Sequence, residues 1–223
     1  MSARLVWAIA AKDLRVERRS KAALSAALPF ATTMLLSFGF ALGPGRLLLV
    51  QAGPGLLWLA GLLAALDLFS RSYQAEAEGG CLDGLLLSPV DRGAIYLGKA
   101  AAVAAQVAVL FAVTGTLTAV LFGLPLGSSP VLLLLTAVLG ITGLAALGSL
   151  FGLLTALGRT RQAALPILVL PLATPVLIAA IRATALLSAG TTDQVAGWLG
   201  VLAAFDAALL ATGYLVYGHL LED

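Results

Sequence analysis

Residues 76–99 read EAEGGCLDGLLLSPVDRGAIYLGK and form the only long polar interruption in a chain that is otherwise apolar runs joined by short turns. Cys81, Leu82, Leu85 and Leu86 recur at three- and four-residue spacings, which set side chains on one face of a helix. Pro89 has no amide to donate and disfavours helical geometry at Ser88, so this short helix is expected to stop there. Asp91 then suits the N-cap of the next helix. The local pattern fits two readings equally: a small amphipathic helix that docks on a partner, and a solvated or lipid-interfacial loop.

The chain around this stretch belongs to a membrane protein. Hydrophobic residues make up 61% of its 223 residues and charged residues 11%, with a mean hydropathy of +1.04. Soluble domains carry about a quarter charged residues. With about 20 apolar residues needed for each helical crossing, the length allows about six spans and no sizeable extramembrane domain. The single cysteine, Cys81, permits no disulfide within the chain and reads as a small apolar contact residue.

The expected architecture is all-α, a single transmembrane unit over 1–223. Residues 1–21 hold Trp7 with Arg15, Arg18, Arg19 and Lys21, which suits an interfacial helix anchored among lipid headgroups. Its amphipathicity is imperfect, because Trp7, Ala11 and Leu14 form one strip, Leu5, Ile9 and Val16 another, and Lys12 and Asp13 intrude. Spans are expected at 22–45, 47–69, 100–123, 130–157, 163–181 and 198–218, with 76–99 as a loop between the second and third. Gly148 and Gly152 give a GxxxG spacing in the fourth span that allows close helix approach. Pro166, Pro171 and Pro175 should bend or break the fifth. Arg182 to Gly197 is mixed and too short to cross, and is expected to form a re-entrant or external element. With the N-terminus inside, eleven of the thirteen lysines and arginines fall on the cytoplasmic side, leaving Arg46 and Arg182 outside. That bias places both termini and the 76–99 loop in the cytoplasm.

No pair of carboxylates, metal-ligand cluster, or nucleophile with a base is visible, so no internal enzyme is expected. Gly93 to Ala100 nearly spells a P-loop, but the lysine is followed by Ala100 rather than a hydroxyl, and the surroundings are a membrane helix rather than a strand. ATP chemistry must therefore come from another chain. Asp206 lies about nine residues into the last span and is read as a protonated or hydrogen-bonded packing residue, with a functional site as the alternative and Arg182 as its conceivable partner. Asp67 reads as a boundary charge or a contact of Arg71 one turn on. His219, the sole histidine, has no evident companion for haem ligation and reads as a surface group.

Lys12-Asp13-Leu14-Arg15 with the basic run after it, and Glu78 to Pro89 reaching Lys99, look like the interfacial and coupling helices of the type-two ABC exporter permeases. Pro54-Gly55-Leu56-Leu57-Trp58-Leu59-Ala60 and Ile167-Leu168-Val169-Leu170-Pro171-Leu172-Ala173-Thr174-Pro175, within the six-span layout, resemble the haem exporter protein B family of cytochrome c maturation over nearly the whole chain. Asp83 is a departure, since coupling motifs of this kind more often carry glutamate. The resemblance implies a permease subunit of an inner-membrane ABC complex that works with a cytoplasmic ATPase dimer, a haem-handling membrane protein, a small membrane subunit and, indirectly, a haem chaperone. It leaves room for a homodimer and calls for no nucleic acid. It implies no cofactor bound directly, with ATP and magnesium in the ATPase and haem in the partner membrane protein. Glu78, Leu82, Asp83, Leu85, Leu86 and Pro89 are then the expected ATPase-coupling residues. A general type-two exporter permease for lipid, polysaccharide or drug, and a non-transporting membrane assembly factor, remain as alternatives.

Overall fold

The computed structural model describes residues 3–20, 22–78, 92–125, 129–156 and 164–220. Among them are seven helices and no strand: α1 Ala3–Ser20, α2 Ala22–Leu42, α3 Arg46–Glu78, α4 Arg92–Phe122, α5 Pro130–Ala156, α6 Ala164–Ser188 and α7 Val195–Leu220. Six are long and apolar enough to cross a bilayer, over Leu24–Leu42, Arg46–Ser70, Gly93–Phe122, Pro130–Gly152, Pro166–Ser188 and Val195–Val216. An even number of crossings puts α1 and the end of α7 on the same face, which the basic-residue bias assigns to the cytoplasm.

The central helix is α5, which packs against α3, α4, α6 and α7. It has no charged residue and reaches this many neighbours through its glycines. A Cβ at Gly140 would overlap the Trp58 indole, one at Gly148 the Phe69 ring, and one at Gly143 would lie 2.6 Å from Asp206 Oδ1. The expected close approach at Gly148 is therefore against α3. Lipid offers no hydrophobic driving force between helices, so such backbone-to-ring contacts hold a membrane bundle together. The main core cluster joins Trp58, Leu62, Phe69, Val103, Val107, Leu110, Leu144, Leu147, Val176 and Leu202 from five helices.

Four sequence expectations are corrected. The third span does not begin at Ala100: α4 is helical from Arg92, and Gly93 to Lys99 lies inside the bundle. Lys99 misled because an unmatched ammonium marks a membrane boundary, whereas here it is buried opposite Asp13. The separate element at Arg182 to Gly197 does not exist, because α6 continues to Ser188. It ends in a Schellman-type cap, with Gly190 at φ 79°, Thr191 N donating to Leu186 O at 3.0 Å and Gly190 N donating to Leu187 O at 3.1 Å. Of the bend or break expected at the prolines, the break does not occur: Pro166 lies in the first turn, Pro171 and Pro175 lie inside the helix, and it runs unbroken. Finally, α3 outlasts its apolar part and runs to Glu78, since Gln74 to Glu78 are good helix formers.

Candidate coupling region and intramembrane polar groups

The region that would receive force from a cytoplasmic partner is built around the first half of α4. Gly98 lets α1 close on it, for a Cβ there would lie 2.8 Å from Ile9 Cβ and 3.0 Å from the Val6 carbonyl oxygen. One residue on, Lys99 Nζ donates to Asp13 Oδ2 at 3.4 Å, and the lysine side chain is only 1% exposed. The inward face of α1 is thus Ile9, Ala10 and Asp13, which shares Ile9 with the Leu5, Ile9 and Val16 strip but includes Asp13, the residue that interrupted the apolar pattern. Trp7 is 73% exposed and Arg15 and Arg18 are exposed, which leaves them on the outer face of the helix. Glu17 Oε1 accepts from Leu24 N at 3.3 Å, tying α1 to one of the free amides in the first turn of α2.

The other side of α4 is closed by α7 and α5. A Cβ at Gly93 would overlap the Tyr214 ring, and one at Gly213 would overlap the Tyr96 ring. The Tyr96 hydroxyl donates to the Ala146 carbonyl at 3.1 Å, satisfying the one polar atom of a fully buried phenol. Every feature that resembled a P-loop is therefore a packing device: Gly93 and Gly98 admit neighbours, and Lys99 answers a carboxylate.

Deeper in the membrane, Trp58 of the Pro54 to Ala60 motif is a buried anchor. Its Nε1 donates to Thr184 Oγ1 at 3.0 Å, while Thr184 donates to the Ala180 carbonyl at 2.7 Å. Its ring lies 4.7 Å from Phe111, tilted at 44°. These two rings help line an apolar groove of about 360 Å³ bordered by α3, α4, α5 and Thr184 of α6. Asp206 is 4% exposed on α7, and neither carboxylate oxygen has a hydrogen-bond partner among the described residues. Arg182, its expected partner, is exposed on α6 and does not reach it. Asp67 lines a cavity with Ala26, Ala27, Phe30, Leu63 and Ala64.

Of the expected coupling residues, Glu78 is the last residue of α3. Leu82, Asp83, Leu85, Leu86 and Pro89 lie outside the described residues, as do Lys21 and the side chains of Arg19 and His219. The contacts that spacing missed are Asp13 with Lys99, Tyr96 with Ala146, and Trp58 with Thr184. An acid in α1 and a lysine that both interrupt apolar patterns were the available signal for the first. The other two pair residues 50 and 126 apart, and neither carries any mark in local sequence.

The family model described as CcmB protein matches residues 4–222. Heme exporter protein B of Paracoccus denitrificans is 33% identical over 211 residues, covering 92% of both chains. The protein of the same name from Pseudomonas aeruginosa is 33% identical over 168 residues and 75% of both chains. That of Rhodobacter capsulatus is 33% identical over 174 residues, or 77% of this chain and 78% of the relative. With its six apolar spans and bacterial relatives, this is a multi-pass protein of the bacterial inner membrane. A match running from near the first residue to near the last, carried through both the α1–α4 clamp and the Trp58 anchor, means that the chain belongs to the CcmB family.

Proposed function

We propose that this chain is the membrane permease subunit of an ABC-type complex in cytochrome c maturation. In this reading it carries the force of ATP hydrolysis in a cytoplasmic ATPase dimer to the release of a haem-loaded periplasmic chaperone, or to haem export. Family membership and the relatives' name, heme exporter protein B, support the haem-related transport role. The haem-handling membrane protein and the small membrane subunit are its further partners. Catalysis and nucleotide binding belong to the ATPase.

The observation that carries the coupling reading is the immobilisation of α4. The helix leaves the 79–91 segment with α1 pressed onto Gly98, Tyr214 onto Gly93 and its own Tyr96 onto Gly213. A push on that segment therefore tilts α4 together with α1 and α7, because packed helices move as bodies rather than deform. Leu82, Leu85 and Leu86 form the face that enters the ATPase groove, Glu78 and Asp83 choose its register, and Pro89 fixes the angle at which α4 departs.

The test is the double substitution Leu85→Asp and Leu86→Asp in the chain co-expressed with its ATPase. Loss of co-purification and of stimulated ATP hydrolysis is expected, with the detergent-solubilised chain keeping the thermal midpoint of the parent. Retention of both activities by the well-folded double variant refutes docking through this face.

A further inference from the structure

We propose that Asp206 is a proton-binding site in the membrane interior: it is held as a carboxylic acid in a seat formed by α5 and α6, and proton binding there is linked to the packing of α7 on α5. The residue sits at the middle of the Val195–Val216 span, about 15 Å from either end at the rise of a helix. It is 4% exposed, and both carboxylate oxygens are buried without a partner among the described residues. The seat is specific. Gly143 faces Oδ1 with nothing but backbone, so that any β-carbon would come within 2.6 Å, and the Val176 methyls stand 3.1 Å from the same point.

An ionised carboxylate in such a place needs a cation or several donors. The helices packed on α7 supply neither. The whole of α5 contains no ionisable residue. The ionisable residue of α6 is Arg182, which is exposed. Those of α4 are Arg92, Tyr96 and Lys99 in its first eight residues, where Lys99 is engaged by Asp13 and Tyr96 donates to Ala146. On α7 itself, Tyr214 lies two turns on, packed at Gly93, and Tyr217 and His219 lie three turns or more along the helix. The neutral acid is the form that this seat accepts, and the charged form requires water, which enters only if α7 separates from α5. The packed state therefore binds one proton more than the separated state, so raising the pH weakens the contact.

The experiment uses the purified full-length chain in lipid vesicles, compared with Asp206→Asn, which keeps the shape of the neutral acid. The infrared difference spectrum, parent minus variant, is expected to contain the carbonyl stretch of one protonated carboxylic acid at neutral pH. A carboxylate doublet in its place overturns the proposal. Gly143→Ala, whose methyl occupies the carboxyl's position, is expected to shift that band; an unmoved band means that the seat is misassigned. Thermal midpoints across the alkaline range should fall more steeply for the parent than for Asp206→Asn. Parallel curves overturn the link to helix packing.

Discussion

Lys99 invites a quantitative test, because at the contact between α1 and α4 it is buried in an ion pair with Asp13. At 3.4 Å, and at an effective dielectric constant of 20, its attraction to Asp13 is about 5 kcal/mol before any cost of burial. Stripping water from each ion costs several kcal/mol, so the intact pair adds little net stability, whereas either member alone is destabilising. Lys99→Met leaves the Asp13 carboxylate, 10% exposed, beside Lys12 Nζ at 3.3 Å; that exposed neighbour softens the loss to about 2 kcal/mol, below the usual range for a broken buried pair. Asp13→Asn removes the carboxylate beside an ammonium that is 1% exposed and should cost about 3 kcal/mol. The double variant removes both charges and should cost only about 2 kcal/mol, giving a coupling of about 3 kcal/mol in the double-mutant cycle. Unfolding by denaturing detergent in mixed micelles measures all four stabilities. Hydrogen exchange at the Ile9 to Asp13 amides reports whether α1 has come loose. Additivity of the two single changes within about 0.5 kcal/mol would refute the pairing and, with it, the view that α1 is clamped electrostatically to α4.

Two further packing claims can be checked by the same unfolding measurement. Gly148→Ala drives a methyl into the Phe69 ring at the α3–α5 contact and should cost roughly 1–3 kcal/mol, with partial recovery on adding Phe69→Leu; an unchanged stability would mean that the helices are not in such close contact. Trp58→Phe keeps an aromatic ring against Phe111 but removes the donor to Thr184, so a loss of about 1 kcal/mol is expected. That loss should shrink when Thr184 is already valine, and a loss independent of residue 184 would show that the hydrogen bond contributes nothing.

The sequence by itself determined the membrane class, the six crossings, their orientation and the family, because each depends on one-dimensional quantities. Apolar run length decides a span, basic-residue placement decides its direction, and motifs such as Pro54 to Ala60 carry kinship. Boundaries were legible only where charge and burial agree. Lys99 resembles the edge of a loop in one dimension because its compensating acid lies 86 residues earlier, and a pair so distant leaves no periodic trace. Arg182 resembles the start of an external element for a similar reason, since hydropathy cannot tell a cation on an exposed helix face from the end of a span. The tertiary structure alone decided what the glycines of α4 and α5 are for, since a missing β-carbon acquires meaning only from the atom that takes its place. At Gly98 that atom belongs to Ile9, at Gly148 to Phe69, and at Gly143 to the carboxylate of Asp206. Local pattern showed that an acid lay in the last span; only packing showed that Arg182 does not reach it and that backbone, rather than a counter-charge, faces it.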